Sequence, residues 1–171
     1  MNVCYCSTKL AKVIGIKTKP EIPLATPPTS TGHWNAHLFY YGGKKSIIFM
    51  NKNSIYSVII ANYKKTDLST LKLLFLQSLE EQCHWDGIPI TSAQLRHHFS
   101  DFVFSTTDND KSAIGSLNDL VYHAQASMHA GPPAVNWTRN ETAVFNMNQM
   151  PMSAIRHEHP GRKFLDILNP G

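Results

Sequence analysis

The chain has 171 residues, of which 42% are hydrophobic and 16% are charged. This length suits a single domain with a substantial core, and the composition excludes a disordered chain, a collagen-like repeat and a disulfide-stapled miniprotein. No apolar run reaches the roughly 18 residues that a membrane-spanning helix needs, and the opening segment lacks the pattern of a signal peptide. We therefore expect a cytoplasmic protein that does not act in a membrane.

The formal net charge is +4, which is mildly basic, and long basic runs are missing from the sequence. Such a charge tolerates a nucleic-acid partner without requiring one, so a protein partner is the stronger expectation. The three cysteines, Cys4, Cys6 and Cys83, cannot all pair, and no second cluster with metal-ligand spacing follows them. We expect reduced, partly buried thiols, and neither a metal nor a cofactor.

The chain opens with the pattern of a strand followed by a helix. Residues 2–6 are typical of a short strand, and Ser7 is placed to cap a helix over residues 8–14 that ends at Gly15. Residues 17–31 contain four prolines, which indicates a loop or linker.

The next segment predicts a three-stranded meander. Its strands cover residues 33–41, 46–50 and 55–61, with turns at 42–43 and 51–54. In the first strand, apolar residues alternate with polar ones, so that one face of this strand is polar; the polar set is His33, Asn35 and His37.

Helices dominate the second half of the sequence. The spacing of apolar residues predicts a long helix over 68–84, a shorter one after Thr91, a strand at 101–105 and a helix from about 112 to 129. This order indicates one α+β domain over 1–171: a mostly antiparallel sheet, with the meander at about 33–61 and helices packed on it. Its core would lie within about 1–130, and an irregular C-terminal extension with one helical turn at 161–168 would follow.

The helix at 112–129 has two stripes of different character. At 100° per residue one stripe is apolar, and we expect it to face the core: Ile114, Leu117, Val121, Ala124 and Met128. A second stripe is polar, and its successive members are three or four residues apart: Ser112, Ser116, Asp119 and His123. Gly115 lies beside the polar stripe at a cost of about 1 kcal/mol in helix propensity, although the helix does not need a glycine there to fold.

Three interpretations of the polar stripe remain open. It could be an ordinary solvated helix surface, a recognition patch, or a catalytic site in which Asp119 orients His123 for proton transfer. Side chains on one helix run side by side and do not converge, so the stripe is a poor nucleophilic triad. A recognition patch is favoured over a hydrolase for this reason.

Four segments of the chain resemble an uncharacterised bacterial family that is catalogued only as a domain of unknown function. They are K-S-A-I-G-S-L-N-D-L at 111–120, C-S-T-K-L at 6–10, G-H-W-N-A-H-L-F at 32–39 and F-M-N-K-N-S-I-Y-S-V at 49–58. Together the segments span about residues 3–128. His33 and Asn35, on either side of Trp34, differ from the residues usual in that family. The resemblance implies a shared fold and a shared surface around Lys111–Asp119, and it implies no activity.

These observations predict a small binding or regulatory module that docks a macromolecular partner through a polar helix face. The candidate binding residues are Lys111, Ser112, Ser116, Asn118, Asp119 and His123, together with His37 or Asn51 facing them across the sheet. Small orphan domains of this kind are often carried by phages and other mobile elements, so a regulatory role there is one expectation; a homo-oligomer is another. The alternative is a metal-independent hydrolase or nuclease, with His123 as acid and base and Asp119 as its orienting carboxylate.

Overall fold

The computed structural model describes residues 1–17, 31–130 and 147–169, and in the helix over residues 111–130 it describes the side chains only as far as residue 127. Five strands and five named α-helices lie in these ranges. The strands are β1 (Val3–Cys6), β2 (Trp34–Tyr41), β3 (Lys44–Asn51), β4 (Ser57–Ile60) and β5 (Val103–Thr106). The helices are α1 (Thr8–Ile14), α2 (Leu68–Trp85), α3 (Ser92–His98), α4 (Lys111–Ala130) and α5 (Pro160–Leu168), with a 3₁₀ turn at Ser153–Ile155. The predicted proline-rich loop lies largely outside the described residues.

The sheet has the order β4-β3-β2-β1-β5 and is mixed. The strands of the meander pair antiparallel, as predicted, but β1 pairs in parallel with both β2 and β5. The α+β prediction is confirmed, and the sheet predicted as mostly antiparallel is mixed, with two antiparallel and two parallel pairings. The segments at 2–6 and 101–105 gave no sign of their pairing direction, because a parallel partner lies far away in the sequence.

Helices cover both faces of the sheet. Trp34 and Phe49 point to one face, where α1, α2, α3 and α5 pack, and Trp34 lies within 6 Å, between ring centroids, of Phe75, Phe99 and Phe164. The opposite face carries a smaller core beneath α4, built on Phe39, Ile48, Met50 and Ile59. No helix in the described part of the chain is long and apolar enough to cross a membrane.

Local signals account for the ends of several elements. The Ser7 hydroxyl accepts a hydrogen bond from the amide of Leu10, and Gly15 ends α1 with a φ of +81°. Asp67 caps α2, and Thr91 with Gln94 forms a capping box at α3. Strand β4 begins two residues later than predicted, because Ile55 adopts a left-handed conformation with a φ of +61°.

Helix α4 is rotated relative to its predicted orientation. Its buried stripe consists of Ala113, Leu117, Leu120 and Ala124, which is a turn of about 50° from the apolar stripe expected from the sequence. Ile114 is 37% exposed and Val121 is only partly buried, while the side chain of Met128 lies outside the described residues. Polar side chains of the sheet below Ile114, which include Asn35 and His37, explain this rotation.

The described part of the C-terminal region packs into both cores. Phe164 in α5 is fully buried and stacks on Tyr56, with ring centroids 4.5 Å apart. On the α4 side, Met147 and Ile155 join the smaller core. The Asn148 amide donates to the backbone oxygen of Ser57 and accepts from its amide, so that it pairs with the edge strand β4.

We expect Phe164→Ala to lower the free energy of unfolding by about 3–5 kcal/mol, because it leaves a cavity in the main core. Chemical denaturation of the full chain measures this effect. Asp166→Ala, on the exposed side of the same helix, is the control and should change stability by less than about 0.5 kcal/mol. If Phe164→Ala lowered the free energy of unfolding by no more than the small change expected of the control, α5 would not stabilise the fold.

Candidate functional site

The predicted polar stripe lies on one flank of α4 and faces solvent. Ser112, Asp119 and His123 are exposed and Ser116 is half-buried. Within the described ranges, Asp119 and His123 form neither a hydrogen bond nor an ion pair with each other, and the His123 ring instead meets the Tyr122 ring edge-on at 5.9 Å. The proposed acid–base pair is therefore not assembled in this structure, and the hydrolase alternative remains a prediction without geometric support.

Asn51 has a structural role at the end of β3. It is fully buried, its amide donates to the backbone oxygen of Thr31, and its side-chain oxygen accepts from the amides of Asn53 and Ser54 and from the Ser54 hydroxyl. These bonds shape the turn between β3 and β4. None of these bonds reaches the polar stripe of α4.

His37 and Asn118, by contrast, meet at a cavity of about 290 Å³ between α4 and the sheet. Asn118 belongs to the other flank of α4, together with Ile114, so the predicted binding residues divide between two surfaces of one helix. The sheet contributes Tyr5, Asn35 and His37 to the cavity wall. We call this space the strand-end cavity. We call the solvent-facing side of α4 the outer face; it carries Lys111, Ser112, Ser116, Asp119 and His123.

The position of the strand-end cavity follows from the parallel pairing. Strands β1 and β5 end side by side at Cys6 and Thr106, and residues just beyond them, including Ser7 and Thr107, line the cavity. From this edge α1 departs toward one face of the sheet and α4 toward the other. Where the helices that follow two neighbouring parallel strands leave for opposite faces, they create a crevice at the carboxyl ends of the strands, and ligands commonly bind there in sheets of this type.

A lysine holds the loop between β5 and α4 in place. The Nζ of Lys52 lies 2.7 Å from a carboxylate oxygen of Asp108 and 2.7 Å from one of Asp110, and 5.5 Å from the centre of the Tyr5 ring. Burial lowers the pKa of Lys52, but the hydrogen bonds to the two carboxylates outweigh it and raise the pKa above its ordinary value. Asp110 in turn caps α4 by accepting from the amides of Ser112 and Ala113.

The residues that line the strand-end cavity are electrically neutral. They include no aspartate, glutamate, lysine or arginine. Burial, and after it the charge of Lys9, lower the pKa of His37, which favours the uncharged imidazole near pH 7. Asn35 is 3% exposed, and its side-chain oxygen accepts no hydrogen bond from any described residue.

Part of this cavity could be predicted from the sequence. The alternation in β2 predicted a polar face containing Asn35 and His37, and that face does line the cavity. Tyr5 and Thr107 were missed, because only the parallel pairing of β1 and β5 brings them there. Among the described residues, no three histidine, cysteine, aspartate or glutamate side chains are grouped as they would be to hold a metal ion.

A family model described as a domain of unknown function (DUF6933) matches residues 3–163 of the chain. This match confirms the resemblance to an uncharacterised domain family and extends it into α5. No curated protein matches the sequence significantly.

We expect Lys52→Met to loosen the loop between β5 and α4. Hydrogen bonds to charged groups are worth about 1.5–3 kcal/mol each, so the loss of the lysine should speed hydrogen exchange of the amides at 109–113 about tenfold or more. Hydrogen exchange followed by mass spectrometry or NMR measures the effect. Lys163→Met, which removes a more exposed lysine 3.4 Å from Glu158, is the control and should leave these amides unchanged. Unaltered exchange in Lys52→Met would contradict the role given to Lys52.

Proposed function

The chain belongs to the DUF6933 family of domains of unknown function, and we propose that it is a binding module that docks a partner protein through the outer face of α4. The supporting observation is a helix surface on which several polar side chains form no hydrogen bond or ion pair with any described residue. Lys111, Ser112, Asp119 and His123 are exposed, and none of their side chains forms a hydrogen bond or ion pair within the described residues.

An exposed aromatic residue strengthens this proposal. Tyr122 is 70% exposed and projects from the outer face beside His123. Tyrosine is enriched among the residues that contribute most to protein–protein affinity, because it buries a large ring and retains a hydroxyl for hydrogen bonding. A partner that covers Tyr122 would thus gain both kinds of contact.

Gly115 is a second supporting feature. A side chain added at this position would meet nothing within 4 Å in the molecule, so packing within the fold does not account for the glycine. Glycine in a helix interior costs about 1 kcal/mol relative to alanine. We attribute this cost to the need for a flat spot on which a partner can approach the backbone of α4.

The charges on the outer face favour a protein over a nucleic acid. The positive charge of Lys111 is balanced by the negative charge of Asp119, and no row of lysine or arginine residues runs along the helix. Binding to a phosphate backbone depends on several lysine or arginine contacts. A regulatory role on a phage or other mobile element is compatible with this proposal and remains an expectation from the sequence.

We expect Ser116→Arg to reduce partner capture at least tenfold, because a long cation would stand in the middle of the docking surface. The assay purifies the tagged protein from cells of its own source and quantifies co-purified proteins by mass spectrometry, with and without nuclease. Ser69→Arg, the same change at an exposed position of α2, is the matched control. Specific co-purified proteins that Ser116→Arg retains at wild-type levels would contradict the proposal, and capture that nuclease abolishes would point to nucleic acid.

We expect Gly115→Ala to have opposite effects on stability and binding. It should raise the free energy of unfolding by about 0.5–1 kcal/mol, because alanine restricts the unfolded chain and favours the helix. The added methyl group should also weaken capture of the partner in the same purification assay. A variant that is more stable and binds fully would show that the glycine does not serve docking.

A further inference from the structure

The strand-end cavity carries a second inference, which is independent of docking on the outer face. Its volume of about 290 Å³ lies at the lower end of the range for ligand pockets, and its position at the carboxyl ends of β1 and β5 is the usual ligand position for parallel strands. A cavity of this size suits a molecule of about one or two rings.

Asn35 indicates which hydrogen-bonding group a ligand of this cavity should carry. Its side-chain oxygen is buried and accepts no hydrogen bond from the described part of the chain, although Asn35 lines the cavity wall. A buried acceptor left without a donor costs about 1–3 kcal/mol, so native proteins retain such a group where a water or ligand supplies the missing partner. The matching ligand presents an N–H or O–H group to Asn35.

The lack of charged side chains in the cavity wall disfavours ionic ligands. The cavity wall holds no side chain with a full charge to pair with an ionic ligand, and burial of an unpaired charge is costly. Of the lysines that act on the wall, Lys52 lies by the Tyr5 ring and is already neutralised by Asp108 and Asp110, and Lys9 acts on His37 through its charge without being among the lining residues. A neutral ligand therefore fits this wall better than a phosphate or a carboxylate.

The wall is also divided into a polar and an apolar part. Ile114 and Leu117 on α4 form apolar surface, whereas the strands contribute Asn35 and His37. A sugar carries hydroxyl groups all around and would press some of them against the isoleucine and leucine. A flat heterocycle satisfies both parts, because its faces are apolar and its edge carries N–H donors and acceptors.

We propose that the strand-end cavity binds a small neutral heterocycle of nucleobase size, with an N–H on its edge donating to the side-chain oxygen of Asn35 and a face packed against Ile114 and Leu117. His37 and Asn118 offer further hydrogen bonds around the same edge. No covalent step is implied, and the site is a binding site.

The test is an NMR titration of the full chain with uracil, cytosine and adenine, followed on backbone and side-chain amide signals. We expect at least one base to cause saturable shifts at Asn35, His37 and Asn118. Glucose and inorganic phosphate, added at equal concentrations, should cause none. If none of the three bases shifts these signals, or if glucose shifts them as strongly as a base does, the proposal is overturned.

Two variants place the ligand in the cavity. Asn35→Leu should weaken binding of the base at least tenfold, because it removes the acceptor. Ile114→Trp should do the same by filling the cavity mouth, and it is a mild change for the fold because Ile114 is 37% exposed. Binding that survives both substitutions at wild-type affinity would place the base elsewhere and overturn the proposal.

Thermal unfolding supplies a readout that needs no ligand. Asn35→Leu should leave Tm unchanged or raise it, since it replaces an unsatisfied buried oxygen by an apolar group. Asn148→Leu is the matched control: it removes an amide that is hydrogen-bonded to Ser57, and Tm should fall by several degrees. Equal losses in the two variants would show that Asn35 is satisfied within the fold. This outcome would leave the docking proposal intact, because docking is tested by Ser116→Arg.

Discussion

The parallel pairing of β1 with both of its neighbours is the constraint on which the rest of the structure depends. Cys4 pairs with Trp34 on one side and with Phe104 on the other, so the four-residue strand β1 lies inside the sheet with a parallel neighbour on each side. The amide of Ser7 extends this pairing by donating to the backbone oxygen of Ala36, and its hydroxyl then caps α1. Because β1 and β5 end at the same edge, the helices that follow them start there, α1 toward one face of the sheet and α4 toward the other, and leave the strand-end cavity between them.

The same pairing shows why the sequence predicted the elements better than their arrangement. Alternating hydrophobicity and capping residues such as Ser7, Asp67 and Thr91 are local signals, and the elements they mark are present. Pairing direction is not local: Tyr5 reaches the face that it shares with Asn35 and Ser105 only after β1 is inserted between β2 and β5. The predicted site divided for this reason, since His37 and Asn118 belong to the cavity and the polar stripe does not.

One edge of the sheet is closed by a side chain from the C-terminal region. Strand β4 is an edge strand, and unpaired backbone groups on such a strand invite pairing with other chains. Here the Asn148 side chain pairs with Ser57 much as a strand residue would, and its amide also donates to Asp86, which accepts from Tyr56. Asp86 is half-buried, and desolvation raises its pKa, which hydrogen bonds from these neighbours partly offset. A segment more than eighty residues away in sequence thus closes the edge of the meander.

The orientation of α4 follows from the mixed chemistry of the face beneath it. Over β3 and β4 this face is apolar and accepts Leu120 and Ala124, whereas over β2 and β1 it presents Asn35, His37 and Tyr5. An orientation that buried Ile114 and Val121 fully would press them onto these polar groups and remove any space for a hydrogen-bonding partner. The observed rotation keeps the apolar contacts and leaves Ile114 at the rim of the cavity. The outer face and the cavity thus both result from the orientation in which α4 packs on the sheet. Substitutions on either flank of α4 can separate their roles.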